Sequence, residues 1–169
     1  EGAAFFRVMG GRAEEGDPDA PGLMYSRFNN PNVEVLEDRL TLFDGAEEAC
    51  VFSSGMGAIS TVLLAFCETG DAILHSTPLY GGTETLIRNQ LPKFGLGGFD
   101  FVVHAPEAEI REAVDAALAH GRVAVIYTET PTNPTNEICD LGLMKRLADE
   151  IGERQGFRPP VIVDNTMQG

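Results

Sequence analysis

A glycine-rich segment at residues 53–57 and an aspartate at position 164 could both contact a charged ligand, although more than 100 residues separate them. Residues 53–57 read Ser-Ser-Gly-Met-Gly, and small residues at a helix N-terminus let backbone N–H groups approach an anion. The same glycines could instead serve only a tight turn. Asp164 comes directly after the apolar run 161–163, where a carboxylate is costly unless it is paired.

Two loops between these positions carry residues that could contact a planar ring. Tyr80 lies in the turn 77–83, Thr-Pro-Leu-Tyr-Gly-Gly-Thr, and an aromatic side chain there could stack on a ring. A half-buried loop tyrosine is the ordinary alternative. Asn133 lies in the segment 129–134, Glu-Thr-Pro-Thr-Asn-Pro, where its amide could donate to a ring substituent or simply cap a turn.

An anion cradle, a stacking aromatic and a buried carboxylate together match the needs of pyridoxal phosphate. An aspartate beside the pyridine nitrogen keeps that nitrogen protonated, so that the ring can accept electrons from a substrate carbanion. The sequence therefore predicts a pyridoxal phosphate site in which Asp164 has this role.

A nicotinamide dinucleotide site is the competing interpretation of the glycine-rich segment. Gly55-x-Gly57-x-x-Ser60 is one residue away from the dinucleotide fingerprint and precedes a helical pattern. Such enzymes place an acidic residue at the end of the next strand, to hold the ribose. That strand ends here in Ser76, and Asp71 lies at its other end, so a dinucleotide-binding oxidoreductase remains only the alternative.

Short apolar runs alternate with helical patterns along the chain after Asn30. This alternation is typical of a parallel sheet covered on both faces by helices, with ligands beyond the carboxyl ends of the strands. We therefore expect an α/β three-layer sandwich with a mostly parallel sheet. The predicted strands are 49–53, 72–76, 99–103, 123–128 and 160–164, and the predicted helices are 31–44, 54–69, 83–91, 107–119 and 140–154.

Composition narrows the class of partner. The 169 residues carry a formal charge of −14, which would repel nucleic acid and anionic lipid surfaces. The three cysteines and three histidines lack the spacing of metal ligands, so no metal site is predicted. No apolar stretch approaches the roughly 18 residues that span a bilayer. We expect a soluble, cytoplasmic protein with an extended arm over residues 1–24 and one domain over residues 25–169.

Five motifs in order closely resemble the Cys/Met-metabolism family of pyridoxal phosphate enzymes. They are Tyr-Ser-Arg at 25–27 with Asn-Pro-Asn at 30–32, and the segments 54–59, 79–83, 129–134 and 163–166. The family includes cystathionine γ-synthase, cystathionine γ-lyase, methionine γ-lyase and O-acetylhomoserine sulfhydrylase. The resemblance implies an aspartate-aminotransferase-like (fold type I) large domain, here incomplete, and an absent C-terminal domain. It also implies elimination or replacement at the side chain of a sulfur-containing or γ-substituted amino acid.

The same resemblance suggests a role for each candidate residue. The backbone at Gly55 and Met56 would hold the cofactor phosphate, and Tyr80 would stack on the ring and assist proton transfer. Asn133 would lie near the ring hydroxyl, and Asp164 would meet the pyridine nitrogen.

Two further residues would act across a subunit boundary. Tyr25 and Arg27 would reach the phosphate of a neighbouring subunit, and the rigid guanidinium fork suits that contact. The resemblance thus implies a homodimer or homotetramer with shared active sites.

The sequence departs from the family at two points. By the resemblance, the lysine that binds the cofactor covalently would follow the Asp-Asn-Thr strand end at 164–166 by one further β/α step, beyond Gly169, and neither Lys93 nor Lys145 stands at that position. We therefore expect this chain alone to be inactive, and a non-catalytic fragment is the alternative function. Methionine γ-lyases usually carry cysteine where Gly82 stands, which disfavours that activity.

Overall fold

The chain divides into two compact units, Glu1–Ser53 and Ser54–Gly169, and the computed structural model describes residues 30–168. Helix α1, Pro31–Asp44, is the regular element of the first unit among these residues. Asn30 caps it by accepting the N–H of Asn32 at 3.0 Å, and Gly45 ends it at a φ of 61°, a conformation that favours glycine. The predicted helix is confirmed.

The strand predicted over residues 49–53 is wrong. The segment pairs with none of the described strands, and the N–H of Val51 is donated instead to Oε1 of Glu37 at 2.8 Å. Phe52 remains 38% exposed. A short apolar run indicates burial, but a strand also needs a backbone partner, and a side-chain carboxylate takes that place here.

Four parallel strands form the sheet of the second unit. The other four predicted strands are confirmed within three residues at each end. The strands are β1 Ala72–Thr77, β2 Gly97–Val102, β3 Val123–Glu129 and β4 Val161–Asp164. The sheet order is β2-β1-β3-β4, and every pairing is parallel.

Four helical segments connect or precede these strands. Three of them match their predicted bounds closely, whereas the predicted helix 83–91 is irregular. It begins at Gly81 and passes through a π turn at Leu86–Gln90 into a 3₁₀ turn that contains Pro92, a residue without an N–H for a regular α turn. The segments are α2 Gly55–Phe66, α3 Gly81–Thr85 with its π and 3₁₀ extensions, α4 Glu107–His120 and α5 Leu141–Gln155.

Two separate apolar cores cover the two faces of the sheet. On one face, Leu74 of β1 packs with Val114 of α4 and Leu147 of α5. On the other face, Ile73 packs with Leu63 of α2 and Ile87 of the α3 extension. The central strands β1 and β3 are buried along nearly their whole length, so the predicted three-layer α/β fold is confirmed.

The side on which strands are added to the sheet changes between β1 and β3, although all four strands are parallel. From β1 the chain moves to β2 on one side, and it then returns past β1 to add β3 and β4 on the other side. Ligands of parallel α/β sheets bind beyond the carboxyl ends of the strands at such a change of side. A ligand-binding site is therefore expected at the loops after Thr77 and Glu129.

Candidate cofactor-binding site

A cavity of about 400 Å³ lies at the carboxyl edge of the sheet. Its volume falls within the range typical of small-molecule pockets. Five of the seven predicted site residues line this cavity, and the other two, Tyr25 and Arg27, lie outside the described residues. The lining residues are Ser54, Gly55, Met56, Ile59, Tyr80, Glu129, Asn133, Asp164, Thr166 and Met167.

The N-terminus of α2 contributes unpaired N–H groups to the cavity. Ser54 caps the helix, and its Oγ accepts the N–H of Gly57 at 3.1 Å. Among residues 30–168, no acceptor is found for the N–H of Gly55 or Met56. Apart from its chain neighbours and the backbone of its own helix, no atom of residues 30–168 lies within 4 Å of the position that a Cβ on Gly55 would occupy. The helix end therefore offers both donors and room for an anion.

Tyr80 lies at the junction between β1 and α3, and the residue is 48% exposed. A Cβ on Gly82 would lie 2.5 Å from Cε1 of Tyr80 and 2.9 Å from Sδ of Met56. These distances are far below van der Waals contact, so any larger residue at position 82 would displace the tyrosine ring. Gly82 thus helps to set the ring position at the cavity.

Asp164 ends β4, and three donors hold its carboxylate. Oδ1 accepts the N–H of Thr166 at 3.1 Å and its hydroxyl at 2.7 Å, while Oδ2 accepts the hydroxyl of Tyr127 at 3.2 Å. A carboxylate offers about four lone-pair sites, so capacity remains for a donor inside the cavity. Burial, and then the Asp164 charge, raise the pKa of Tyr127, so this phenol keeps the proton that it donates.

Glu129 is the site residue that the sequence analysis missed. It is buried, and its two carboxylate oxygens accept the backbone N–H of Tyr80 at 2.8 Å and of Asn133 at 2.5 Å. Burial raises the pKa of this carboxyl, and the two N–H donors oppose that shift. The signal was present, because Glu129 directly follows an apolar strand just as Asp164 does.

The described lining of the cavity contains two carboxylates and no lysine or arginine. Lys93 lies in the 3₁₀ turn and donates to Oε1 of Gln90 at 2.9 Å, while Lys145 is exposed on α5. An anionic ligand would thus depend on the α2 N–H groups and on cations from other parts of the protein.

Over residues 30–168, no cluster of three or more histidine, cysteine or acidic side chains is placed to hold a metal ion. No helix in this range is both long and apolar enough to cross a membrane.

These features define a parallel α/β protein with a ligand cavity at the carboxyl edge of its sheet. The sequence profile of the family described as Cys/Met metabolism PLP-dependent enzyme, where PLP is pyridoxal 5′-phosphate, matches residues 6–169. The chain belongs to this family, and pyridoxal phosphate is the family's cofactor.

Individual relatives cover several reactions. The chain is 36% identical to a methionine gamma-lyase of Arabidopsis thaliana, over 88% of this chain and 32% of the relative. It is 34% identical to a probable cystathionine gamma-synthase of Herpetosiphon aurantiacus, over 91% of this chain and 44% of the relative. The chain thus spans about a third of the length of one relative and less than half of the other.

A solved structure with the same fold comes from Campylobacter jejuni and is described as an O-acetylhomoserine (thiol)-lyase. It superimposes with a TM-score of 0.74 at 28% identity, over 88% of this chain and 34% of that one. That crystal structure contains a pyridoxyl-lysine phosphate group. The expected fold type is thus shared with a pyridoxal phosphate protein.

Proposed function

We propose that this chain forms the cofactor-binding part of a pyridoxal phosphate enzyme that eliminates or replaces a side-chain group of a sulfur-containing or γ-substituted amino acid. One observation carries the proposal. The unpaired N–H groups of Gly55 and Met56 and the carboxylate of Asp164 line a single cavity, which also contains an aromatic side chain.

The residues of the cavity fit the parts of the cofactor. The N–H groups of Gly55 and Met56 would bind the phosphate, and Tyr80 would lie against the ring. Asn133 would contact the ring hydroxyl. Asp164 would hold a proton on the pyridine nitrogen, using the acceptor capacity that Thr166 and Tyr127 leave free.

When bound, pyridoxal phosphate supplies an electron sink for carbanion chemistry. The protein must then hold the charged groups still, because electrostatic contacts that are already oriented need no reorganisation during reaction. The hydrogen bonds to both oxygens of Asp164 provide this rigidity. Tyr80 would move a proton at its phenol oxygen, which is the role the resemblance suggests.

The choice among lyase, synthase and sulfhydrylase activities rests on the substrate side of the site. We favour a synthase or sulfhydrylase over a methionine γ-lyase, because Gly82 stands where those lyases usually carry cysteine. A side chain at position 82 would displace the Tyr80 ring from its position beside Met56. The ring position is therefore tied to this residue.

We further propose a homodimer or homotetramer with shared active sites, in which Tyr25 and Arg27 reach the phosphate of a neighbouring subunit. The support is electrostatic, because the described cavity lining contains two carboxylates and no cation to balance a phosphate. An arginine from another subunit would supply that charge.

We also propose a reducing compartment such as the cytoplasm. Cys50, Cys67 and Cys139 are all free thiols, as expected where glutathione and thioredoxin keep cysteines reduced.

The proposal is tested with Asp164→Asn in the full-length protein that contains this chain. Turnover should fall by at least about a hundredfold, the usual size of losing one oriented electrostatic contact at a reacting centre. The free energy of unfolding should fall by no more than about 0.5–1.5 kcal/mol, the usual net value of one hydrogen bond. Asp115→Asn is the matched control, because Asp115 is 64% exposed and pairs with Arg154 away from the cavity.

Unchanged turnover in Asp164→Asn would contradict the proposal that this carboxylate holds a proton on the pyridine nitrogen. The 169-residue chain alone should bind no cofactor covalently, because neither of its lysines lines the cavity. A borohydride-stable adduct at Lys93 or Lys145 would contradict that part of the proposal.

A further inference from the structure

We propose that Glu129 is a positioning residue, which fixes Tyr80 and Asn133 relative to each other at the edge of the cavity. The inference deepens the proposed function and rests on it, because that function places both residues at the cofactor ring. Neither the sequence motifs nor the proposed cofactor contacts gave Glu129 a role.

The geometry is that of a clamp between two loops. Glu129 is the last residue of β3, and its side chain is buried. Oε2 accepts the N–H of Tyr80 at 2.8 Å, in the loop after β1. Oε1 accepts the N–H of Asn133 at 2.5 Å, in the loop after β3. One carboxylate therefore joins the loops that follow β1 and β3, the two strands at which the strand order changes side.

The backbone of the same residue makes a second connection between these strands. The N–H of Glu129 donates to the hydroxyl oxygen of Ser76 at 3.3 Å. Ser76 is itself fully buried near the end of β1. Glu129 is thus fixed before its side chain reaches the loops, so its oxygens have little freedom to follow the loops if they move.

Only a glutamate side chain can accept both N–H groups from this position. Two N–H donors require two acceptors at a fixed separation, and glutamate provides two equivalent oxygens. Glutamine has one oxygen and one NH₂ group, so one of the two donors would face another donor. Aspartate is one methylene shorter and cannot reach both donors from the same backbone position.

A positioning role and a merely structural role predict different results. A structural brace would affect the stability of the loops without affecting the cofactor. A positioning residue must change the site itself, because misplacing Tyr80 and Asn133 weakens contacts that were oriented in advance. The test must therefore measure the loops and the cofactor separately.

The experiment compares Glu129→Gln with wild type in the full-length protein. Glu137→Gln is the matched control, because Glu137 lies in the loop after β3, accepts from Thr135 at 3.1 Å and does not line the cavity. The first measurement is residue-resolved amide exchange of Tyr80 and Asn133 without cofactor. The second is the dissociation constant of pyridoxal phosphate, and the third is kcat and KM.

In Glu129→Gln we expect at least one of the two amides to exchange about tenfold faster, equivalent to about 1.4 kcal/mol. Pyridoxal phosphate should bind more weakly, and kcat should fall more than KM rises. Glu129→Asp should not restore either property, whereas Glu137→Gln should match wild type.

Wild-type exchange at both amides in Glu129→Gln would overturn the clamp. Faster exchange with wild-type cofactor affinity and kcat would overturn the positioning role and leave a structural brace. A wild-type protein that binds no pyridoxal phosphate would contradict the proposed function. The exchange measurement would still decide on the clamp in that case, because it needs no cofactor.

Discussion

Tyr127 and Glu129 lie two residues apart on β3, so their side chains project to the same face of the sheet. Tyr127 donates to Asp164, and Glu129 accepts from Tyr80 and Asn133. The positions of Asp164, Tyr80 and Asn133 therefore do not depend on their own loops alone. β3 acts as the rigid support that a binding site on loops requires.

Replacing Tyr127 should change how stability depends on alkaline pH. Burial and the Asp164 charge raise the pKa of Tyr127 above the value of about 10 that a tyrosine has in an unfolded chain. The wild-type protein therefore has a stability contribution that is complete below about pH 10 and is lost as the pH rises above it. Tyr127→Phe should lack this loss. Denaturant unfolding at several alkaline pH values measures the difference.

At neutral pH the same variant should be about 0.5–1.5 kcal/mol less stable, the usual net value of one hydrogen bond. Tyr80→Phe is the control for stability, because Tyr80 is 48% exposed. Equal pH dependence in Tyr127→Phe and wild type would show that the buried phenol is not the source of the alkaline loss.

The sequence predicted the residues that face the cavity better than the residues that support them. Gly55, Tyr80 and Asp164 could be predicted because each follows a strand or opens a helix, and sheet geometry brings strand ends together. The contacts of Glu129 with Tyr80 and of Tyr127 with Asp164 could not be predicted, because these partners lie 49 and 37 residues apart along the chain. Such contacts depend on strand order and register, which short apolar runs do not encode.

At the level of elements, one ion pair anchors the amino ends of β1 and β3. Asp71 precedes β1 and accepts from Nε of Arg122 at 3.0 Å and from Nη2 at 2.5 Å. Its Oδ2 also accepts the N–H of Glu68 at 2.7 Å. The Arg122 guanidinium lies 4.9 Å from the ring of Phe157. The pair therefore joins the segment after α2, the starts of both central strands and the segment before β4.

Asp71→Asn should destabilise the protein by about 1–3 kcal/mol at neutral pH, because a charged hydrogen-bond acceptor is lost at a nearly buried position. The hydrogen bond from Arg122 holds the pKa of Asp71 below its ordinary value. Its contribution is thus complete above about pH 4 and is lost as the pH falls below that. The difference between variant and wild type should shrink in the same range.

Asp149→Asn is the matched control for this effect. Asp149 pairs with Arg158 at 2.6 Å, but its side chain is 53% exposed, so the pair should contribute less than about 1 kcal/mol. Chemical denaturation between acidic and neutral pH measures both variants. An equal loss of unfolding free energy in both variants would show that burial of Asp71 does not make its ion pair more stabilising than an exposed one.

The elements themselves were predicted where periodicity and end signals agreed. Helix α5 is an example, since Asp140 caps it by accepting the N–H of Leu143 at 2.9 Å and Gly156 ends it at a φ of 77°. The segment 49–53 had the apolar composition of a strand but pairs with none of the strands that the structure describes. Composition predicts burial, whereas a ladder depends on which other segments arrive beside it.

At the scale of the whole molecule, the negative charge of the chain opposes the binding of a phosphate group at the cavity. The chain carries a formal charge of −14, and the described cavity lining includes two of its carboxylates and no lysine or arginine. A phosphate group would enter this field at a cost unless arginine or lysine came from elsewhere. Contribution of Arg27 by a neighbouring subunit is one way to meet that need, and subunit mixing can test it.

Arg27→Ala and Asp164→Asn should each inactivate the full-length protein, but co-refolded mixtures of the two should recover activity. In a hybrid dimer, one site combines Asp164 of one subunit with Arg27 of the other, and the second site carries both defects. Random mixing gives half hybrid dimers with one intact site each, or about a quarter of wild-type activity for a two-fold symmetric dimer.

The control mixes Asp164→Asn with Asn133→Ala. Both residues line the same cavity of one subunit, so no hybrid site can be free of defects and the activity should not exceed the sum of the two parents. Recovery in this control would mean that the two residues belong to different sites. Failure of the Arg27→Ala mixture to exceed the sum of its parents would contradict the shared site. The missing cation would then have to come from the same subunit.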